Sequence, residues 1–272
     1  MPDDIALAST WHPRGETQRL ARAWTRISET YRAVAVVVPP DAPCAQLADE
    51  IGAAREQFFP APNWSLGRHE ALRLAVASGA AAIEYVDMDH LIRWIETMPD
   101  EWYKVTETAA RTPFLVIGRS PQAYSTYPLA IRETERPINS ILSRILGQEM
   151  DLCVGARGMS RDVAGMVQRE STSVEAFCAD TEWPAIAFRC GVGLTYVEAD
   201  GLDWETADRH QDTAADAVRQ SQLAAQYDRE PENWSYRVRS AEAMIKSGLA
   251  ALGRCRCENE GDGVPGGSGE AR

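Results

Sequence analysis

Asp87-Met88-Asp89 places two carboxylates one residue apart at the end of an apolar run, Ala80-Ala81-Ala82-Ile83-Glu84-Tyr85-Val86. The run reads as a buried strand, so both acids fall where a strand gives way to a loop. Acids so placed can share a hard divalent cation, which takes oxygen ligands and binds through one or two carboxylates plus substrate phosphates. The carboxyl end of a strand is also where α/β sheets bind ligands. The pair points to a metal–diphosphate site. Asp-x-Asp also occurs in plain solvated loop ends, and the rest of the chain has to separate the two readings.

Three other segments bear on that choice. Gly67-Arg68-His69-Glu70 opens a helix just before the aspartate strand. A glycine and a cation at a helix start can present N–H groups and charge to a phosphate; an ordinary capped helix is the plainer reading. In Ala179-Asp180-Thr181-Glu182-Trp183, acids open a helix that Arg189 and Gly191 close, with Leu194-Thr195-Tyr196-Val197 following. Capping and dipole pairing account readily for Glu182 and less readily for Asp180. His210 lies beyond that strand, either as a ligand or as a surface residue.

A sheet must position these residues. Apolar, β-branched runs predict strands over 5–9, 33–38, 57–59, 80–86, 113–118, 152–155 and 194–197. Helical spacing falls over 16–30, 45–54, 68–78, 90–98, 137–146 and 183–190, with Pro137 at a helix start and Gly79 ending the third helix. Continuous apolar strands alternating with helices predict an α/β chain with a mostly parallel sheet covered on both faces. One or two further helices, interrupted near Pro231, fill 207–252 as a C-terminal appendage able to cover the sheet or pair with a second copy. The expected units are a catalytic domain over 1–206, the helical appendage over 207–253, and a disordered Gly-rich tail over 254–272.

The net charge of −12 argues against a general nucleic-acid or anionic-membrane surface. No apolar stretch reaches the length of a membrane span, and the acidic N-terminus is no signal peptide. The six cysteines form no Cys-x-x-Cys pair. Free thiols in a reducing, cytoplasmic setting are expected.

Taken in order, the segments from Asp4 to His210 resemble the GT-A glycosyltransferases, particularly the family-2-like group. The first loop, Ala8-Ser9-Thr10-Trp11-His12-Pro13-Arg14-Gly15-Glu16, corresponds to their nucleotide-binding loop. Gly67-Arg68 corresponds to a Gly-basic helix start, and Asp87-Met88-Asp89 to their Asp-x-Asp motif. Asp180 to Val197 matches their acidic helix motif, with Arg189, Gly191 and Tyr196-Val197 in register. Two departures stand out. Ala179 replaces the usual acid before the family's aspartate, and Trp11-His12-Pro13 replaces an asparagine-containing loop.

The resemblance implies a GT-A fold and transfer of a sugar from a nucleoside-diphosphate sugar, UDP or GDP, to a hydroxyl acceptor, here a small soluble one. It implies Mg²⁺ or Mn²⁺ held by Asp89, Asp87 and a late His210. Ser9, Trp11, Glu16, Arg68, Asp87 and Arg157 are the expected donor contacts, with Trp11 and then Trp183 the candidates for stacking. Asp180 would be the general base of an inverting reaction, or an acceptor-binding residue in a retaining one. Tyr124 and Tyr127 sit in a polar segment that could close over the site. Two other readings are a non-catalytic binding protein of the same fold and a sugar-phosphate nucleotidyltransferase. The second usually needs a Gly-rich loop after the first strand, which Ser9-Thr10-Trp11-His12-Pro13 lacks.

Overall fold

The apolar runs form the strands of a single sheet, in a computed structural model that describes residues 4–205 and 212–254. In chain order the first elements are β1 (Ile5–Thr10), α1 (Thr17–Thr30), β2 (Ala33–Val38), α2 (Cys44–Ile51), β3 (Phe58–Pro60) and α3 (Gly67–Ala77). Next come β4 (Ala82–Val86), α4 (Met88–Thr97), α5 (Pro99–Ala109), β5 (Phe114–Arg119), α6 (Pro121–Ser125) and α7 (Leu129–Leu146). The last are β6 (Ala156–Ser160), α8 (Arg161–Glu170), α9 (Ala179–Arg189), β7 (Thr195–Ala199), α10 (Ala217–Asp228) and α11 (Pro231–Gly253).

The sheet order is β3-β2-β1-β4-β6-β5-β7. Every pairing is parallel except those of β6, which runs antiparallel to both β4 and β5. Side chains alternate across a strand, and β1 uses both faces. Ile5 and Leu7 join a core with α1, α2, α4 and α5, while Ala6 and Ala8 join the opposite core with α3, α7, α8, α9 and α11. The mostly parallel α/β sheet therefore stands as expected. Among the described residues no helix is long and apolar enough to cross a membrane.

Three local expectations shift. The strand expected over 152–155 lies instead over Ala156–Ser160. Its sequence, Ala-Arg-Gly-Met-Ser, lacks an apolar period, and it is buried because it pairs on both edges. Pro137 does not start a helix but lies inside α7, which begins at Leu129. Proline removes one hydrogen bond to the carbonyl four residues earlier; both Pro137 and Glu133 are exposed, so water can serve that carbonyl. Cys190 is disulfide-bonded, against the expectation of free thiols, while Cys44, Cys153 and Cys178 are free. Cys190 is half-buried just past the end of α9.

The segment expected as an appendage holds α10 and α11. Helix α11 is fastened to α9 by Thr181 Oγ1 donating to Met244 O at 2.7 Å and by Arg189 Nη1 donating to Ala251 O at 3.0 Å. The expected tail lies outside the described residues apart from Arg254.

Candidate functional site

Arg68, in the first turn of α3, joins acids that are distant in sequence. Its Nη2 donates to Asp87 Oδ2 at 2.5 Å and its Nη1 to Asp180 Oδ1 at 2.6 Å. Asp87 stands between the carboxyl end of β4 and the start of α4, and Asp180 lies in the first turn of α9. The ends of β1 and β4 supply further donors to Asp87. Thr10 Oγ1 donates to Asp87 Oδ1 at 2.9 Å, and the Tyr85 hydroxyl donates to the same oxygen. The Tyr85 ring also lies under the Arg68 guanidinium, 5.5 Å from its centroid.

Burial acts on each of these groups and the partners decide the sign. Burial works against the Asp87 charge, but Arg68, His90 and the Tyr85 and Thr10 hydroxyls outweigh it and hold its carboxyl below the usual range. Burial wins at Asp180, whose carboxyl is pushed up despite Arg68 and Arg157. Arg68 itself stays firmly charged, since Asp180 and Asp87 outweigh the burial that opposes it.

Asp180 owes its position to a compensated defect. Pro184 lies inside α9 and has no N–H for the carbonyl of residue 180. A buried carbonyl left without a donor is costly. Arg157, 1% exposed, supplies that donor: its Nη2 reaches Asp180 O at 2.9 Å. The same guanidinium serves Leu152 O, Val154 O and Ala156 O at 2.5–2.9 Å. Arg157 therefore spends its donors on the backbone and lies outside the cavity described next, away from the donor contact expected of it.

A cavity of about 320 Å³ opens between the first loop and the β4 end. Of the expected site residues, Trp11, Glu16, Arg68, Asp87 and Asp89 line it. Glu16 is 2% exposed and holds the loop in shape: Trp11 Nε1 donates to Oε1 and the Arg14 N–H to Oε2, each at 2.8 Å. The Trp11 ring packs edge-on against Phe58 and is itself 1% exposed, so it forms wall rather than a free stacking platform. Ser9 is fully buried and ties the strands together by donating to Val86 O at 2.6 Å. Asp180 and Ser9 do not line the cavity; Asp180 reaches it only through Arg68.

Asp89 differs from its neighbours. Oδ1 accepts from the His90 N–H at 3.0 Å, and no cation pairs with it among the described residues. Asp87 is already engaged by Arg68. No cluster of three His, Cys, Asp or Glu side chains suits a metal among the described residues, and His210 lies outside them. Of the expected metal ligands within the described residues, Asp89 is the one whose carboxylate is left open to a hard cation.

Several site residues lie outside the set of expected contacts. Thr10 and Tyr85 carry Asp87, and Trp64 and His12 line the cavity with their rings edge to face at 5.8 Å. Tyr85 looks like an ordinary strand residue, and the register of β1 against β4 brings it beside Thr10 of the first loop. Gly155 belongs here as well. A Cβ at that position would run into Asp87 Oδ2 and Arg68 Nη2. Tyr124 and Tyr127 do not cover the cavity but sandwich Arg119, at 4.6 and 4.4 Å. Trp183 is buried against Tyr85 and His69, away from the cavity. Glu182 fastens the preceding loop by accepting from the Thr172 N–H at 2.9 Å.

The same arrangement of strands and helices occurs in glucosyl-3-phosphoglycerate synthase from Mycobacterium tuberculosis. In its complex with Mn²⁺, uridine diphosphate and phosphoglyceric acid it superimposes with a TM-score of 0.54 at 12% identity, covering 92% of this chain and 78% of that one. A second structure of that synthase, with phosphoglyceric acid, gives 0.49 at 12% identity over 72% and 69%. No family model matches the chain, and no curated protein matches it. The fold is that of the GT-A glycosyltransferases.

Proposed function

We propose that the protein transfers a sugar from a nucleoside-diphosphate sugar to a hydroxyl acceptor, as a family-2-like GT-A glycosyltransferase. One observation carries this reading: an open carboxylate, Asp89, and a buried arginine, Arg68, share one cavity with the first loop at the carboxyl ends of β1 and β4. That combination suits a nucleotide whose diphosphate reaches both a cation and a guanidinium. The solved complex with Mn²⁺ and uridine diphosphate on the same fold supports it.

In this reading Asp89 would hold Mg²⁺ or Mn²⁺, and such a cation would supply charge stabilisation to a departing diphosphate. Arg68 binds the diphosphate, and Asp87 keeps the arginine aligned. Drawing Arg68 onto the diphosphate would remove the nearer of the two arginines that favour the Asp180 charge. The buried carboxylate is then left with a raised proton affinity, the property a general base needs near neutral pH. Glu16 and the first loop shape the nucleoside end of the cavity.

The test is thermal unfolding with UDP or GDP, with and without Mn²⁺. Metal-dependent stabilisation by one diphosphate supports the reading. A response only to a nucleoside triphosphate with a sugar phosphate would favour nucleotidyl transfer, and no response to any nucleotide would leave a binding protein of the same fold.

A further inference from the structure

A second and larger cavity, about 740 Å³, opens at the carboxyl ends of β5 and β7 beside α7. Its place relative to the first follows from the sheet register. Tyr85 of β4 and Val116 of β5 both pair with Arg157 of β6. Two strand spacings therefore separate β4 from β5, and both run in the same direction. Asp87 lies two residues past Tyr85 and Arg119 three past Val116, so their Cα atoms are about 10 Å apart on one edge of the sheet. The loop between them is shared. Asp151 lines the second cavity, while Gly155 O accepts from the Asp87 N–H at 2.9 Å beside the first.

The floor of this cavity is a fixed cation. The Arg119 side chain is fully buried and held by Asp151, with Nε to Oδ2 at 2.6 Å, and by Glu135, with Nη2 to Oε2 at 2.6 Å. Tyr124 and Tyr127 pack against its guanidinium. Its remaining nitrogen, Nη1, is buried and has no hydrogen-bond partner. Buried donors are rarely left so. On the rim stand Arg144, with no ion-pair partner among the described residues, and two carboxylates, Glu149 and Glu198. A bare polyanion would meet those acids. A hydroxylated molecule with one anionic group would satisfy both signs, placing its anion on Arg119 and Arg144 and its hydroxyls on the carboxylates.

Resting on the glycosyltransferase reading, we propose that the second cavity binds the acceptor, and that the acceptor is a small polyhydroxy compound carrying one carboxylate or phosphate. The anionic end sits over Arg119, and a separation of about 10 Å lets the other end present a hydroxyl toward the Asp87–Arg68–Asp180 group.

The experiment is calorimetric titration of the full chain with glycerol 3-phosphate as probe and glycerol as the uncharged control, alongside a separate titration with UDP and Mn²⁺. Arg144→Glu reverses the rim charge, and Ser140→Trp fills the cavity from the exposed face of α7; neither touches the core. Glycerol 3-phosphate binds the wild type, glycerol does not compete, and both variants weaken the probe at least tenfold while UDP affinity stays within twofold. Absence of probe binding in the wild type, or equal binding in both variants, overturns the proposal and leaves the donor reading intact if UDP binds. Loss of UDP binding in the wild type alone removes the donor reading, and the acceptor role falls with it.

Discussion

Arg68→Met tests the electrostatic core of the site, because it removes the guanidinium and keeps the side-chain length. Two carboxylates, 17% and 9% exposed, then remain with no cation between them. Breaking a buried ion pair by removing one partner costs about 3–5 kcal/mol. For a chain of this size that corresponds to a fall in Tm of roughly 6–20 °C. The pH dependence gives a second readout. In the wild type Asp87 is held below its ordinary value, so its contribution is present above that value and fades as acid protonates it. Without Arg68 both carboxyls rise above their unfolded value. The folded state then binds more protons than the unfolded state, and the variant gains stability as pH drops from 7 toward 5. Adding Asp180→Asn removes one of the two stranded charges and restores roughly half of the loss. Urea unfolding at pH 7 and pH 5 reads all of this. A cost below about 1 kcal/mol, with no gain on acidification, refutes the reasoning.

Other perturbations separate the remaining roles. Asp89→Ala abolishes Mn²⁺-dependent stabilisation by the nucleotide while changing stability by no more than about 1 kcal/mol, read by thermal unfolding with and without metal. Gly155→Ala drives a methyl into Asp87 and Arg68, and titration shows donor-nucleotide binding lost together with stability. Arg157→Met removes a side-chain donor from four buried carbonyls, of which Val154 O keeps the Ala156 N–H, and Pro184→Ala in the same chain returns about 1 kcal/mol by restoring an N–H to Asp180 O; denaturant unfolding of the single and double variants checks it. Glu84 is buried in β4 beside Tyr31, and its carboxyl is pushed up to about 7, chiefly by burial. Its stabilising contribution is full below pH 4.5 and lost as pH rises through 7, so Glu84→Gln gains up to roughly 3 kcal/mol over the wild type by pH 8 and nothing near pH 4.

Much of the sheet could be read from the sequence because its strands are continuous apolar runs. Ala33–Val38 and Ala82–Val86 could hardly lie anywhere but inside a covered sheet. β6 could not be read this way, since its charged Arg157 is buried by backbone carbonyls rather than by apolar neighbours. The same concealment affected the site. Asp87, Asp89 and Arg68 were visible as residue types at helix and strand ends. Their partners Thr10 and Tyr85 depend on the β1–β4 register, which no local pattern encodes. Arg157 stands among the donor contacts that the resemblance implies. Its actual work follows from Pro184, twenty-seven residues away, and only packing connects the two. The second cavity was equally silent, because Arg119 ends an apolar strand and Asp151 sits in a loop, with α7 between them in the chain.

The most direct test of the central claim is a crystal of the protein soaked with UDP and Mn²⁺, with the metal located by its anomalous scattering. The account predicts a single strong peak in the first cavity, coordinated by an Asp89 carboxylate oxygen and by diphosphate oxygens, with Arg68 on the same diphosphate. A metal placed elsewhere, or a nucleotide bound away from Asp89 and Arg68, would contradict it.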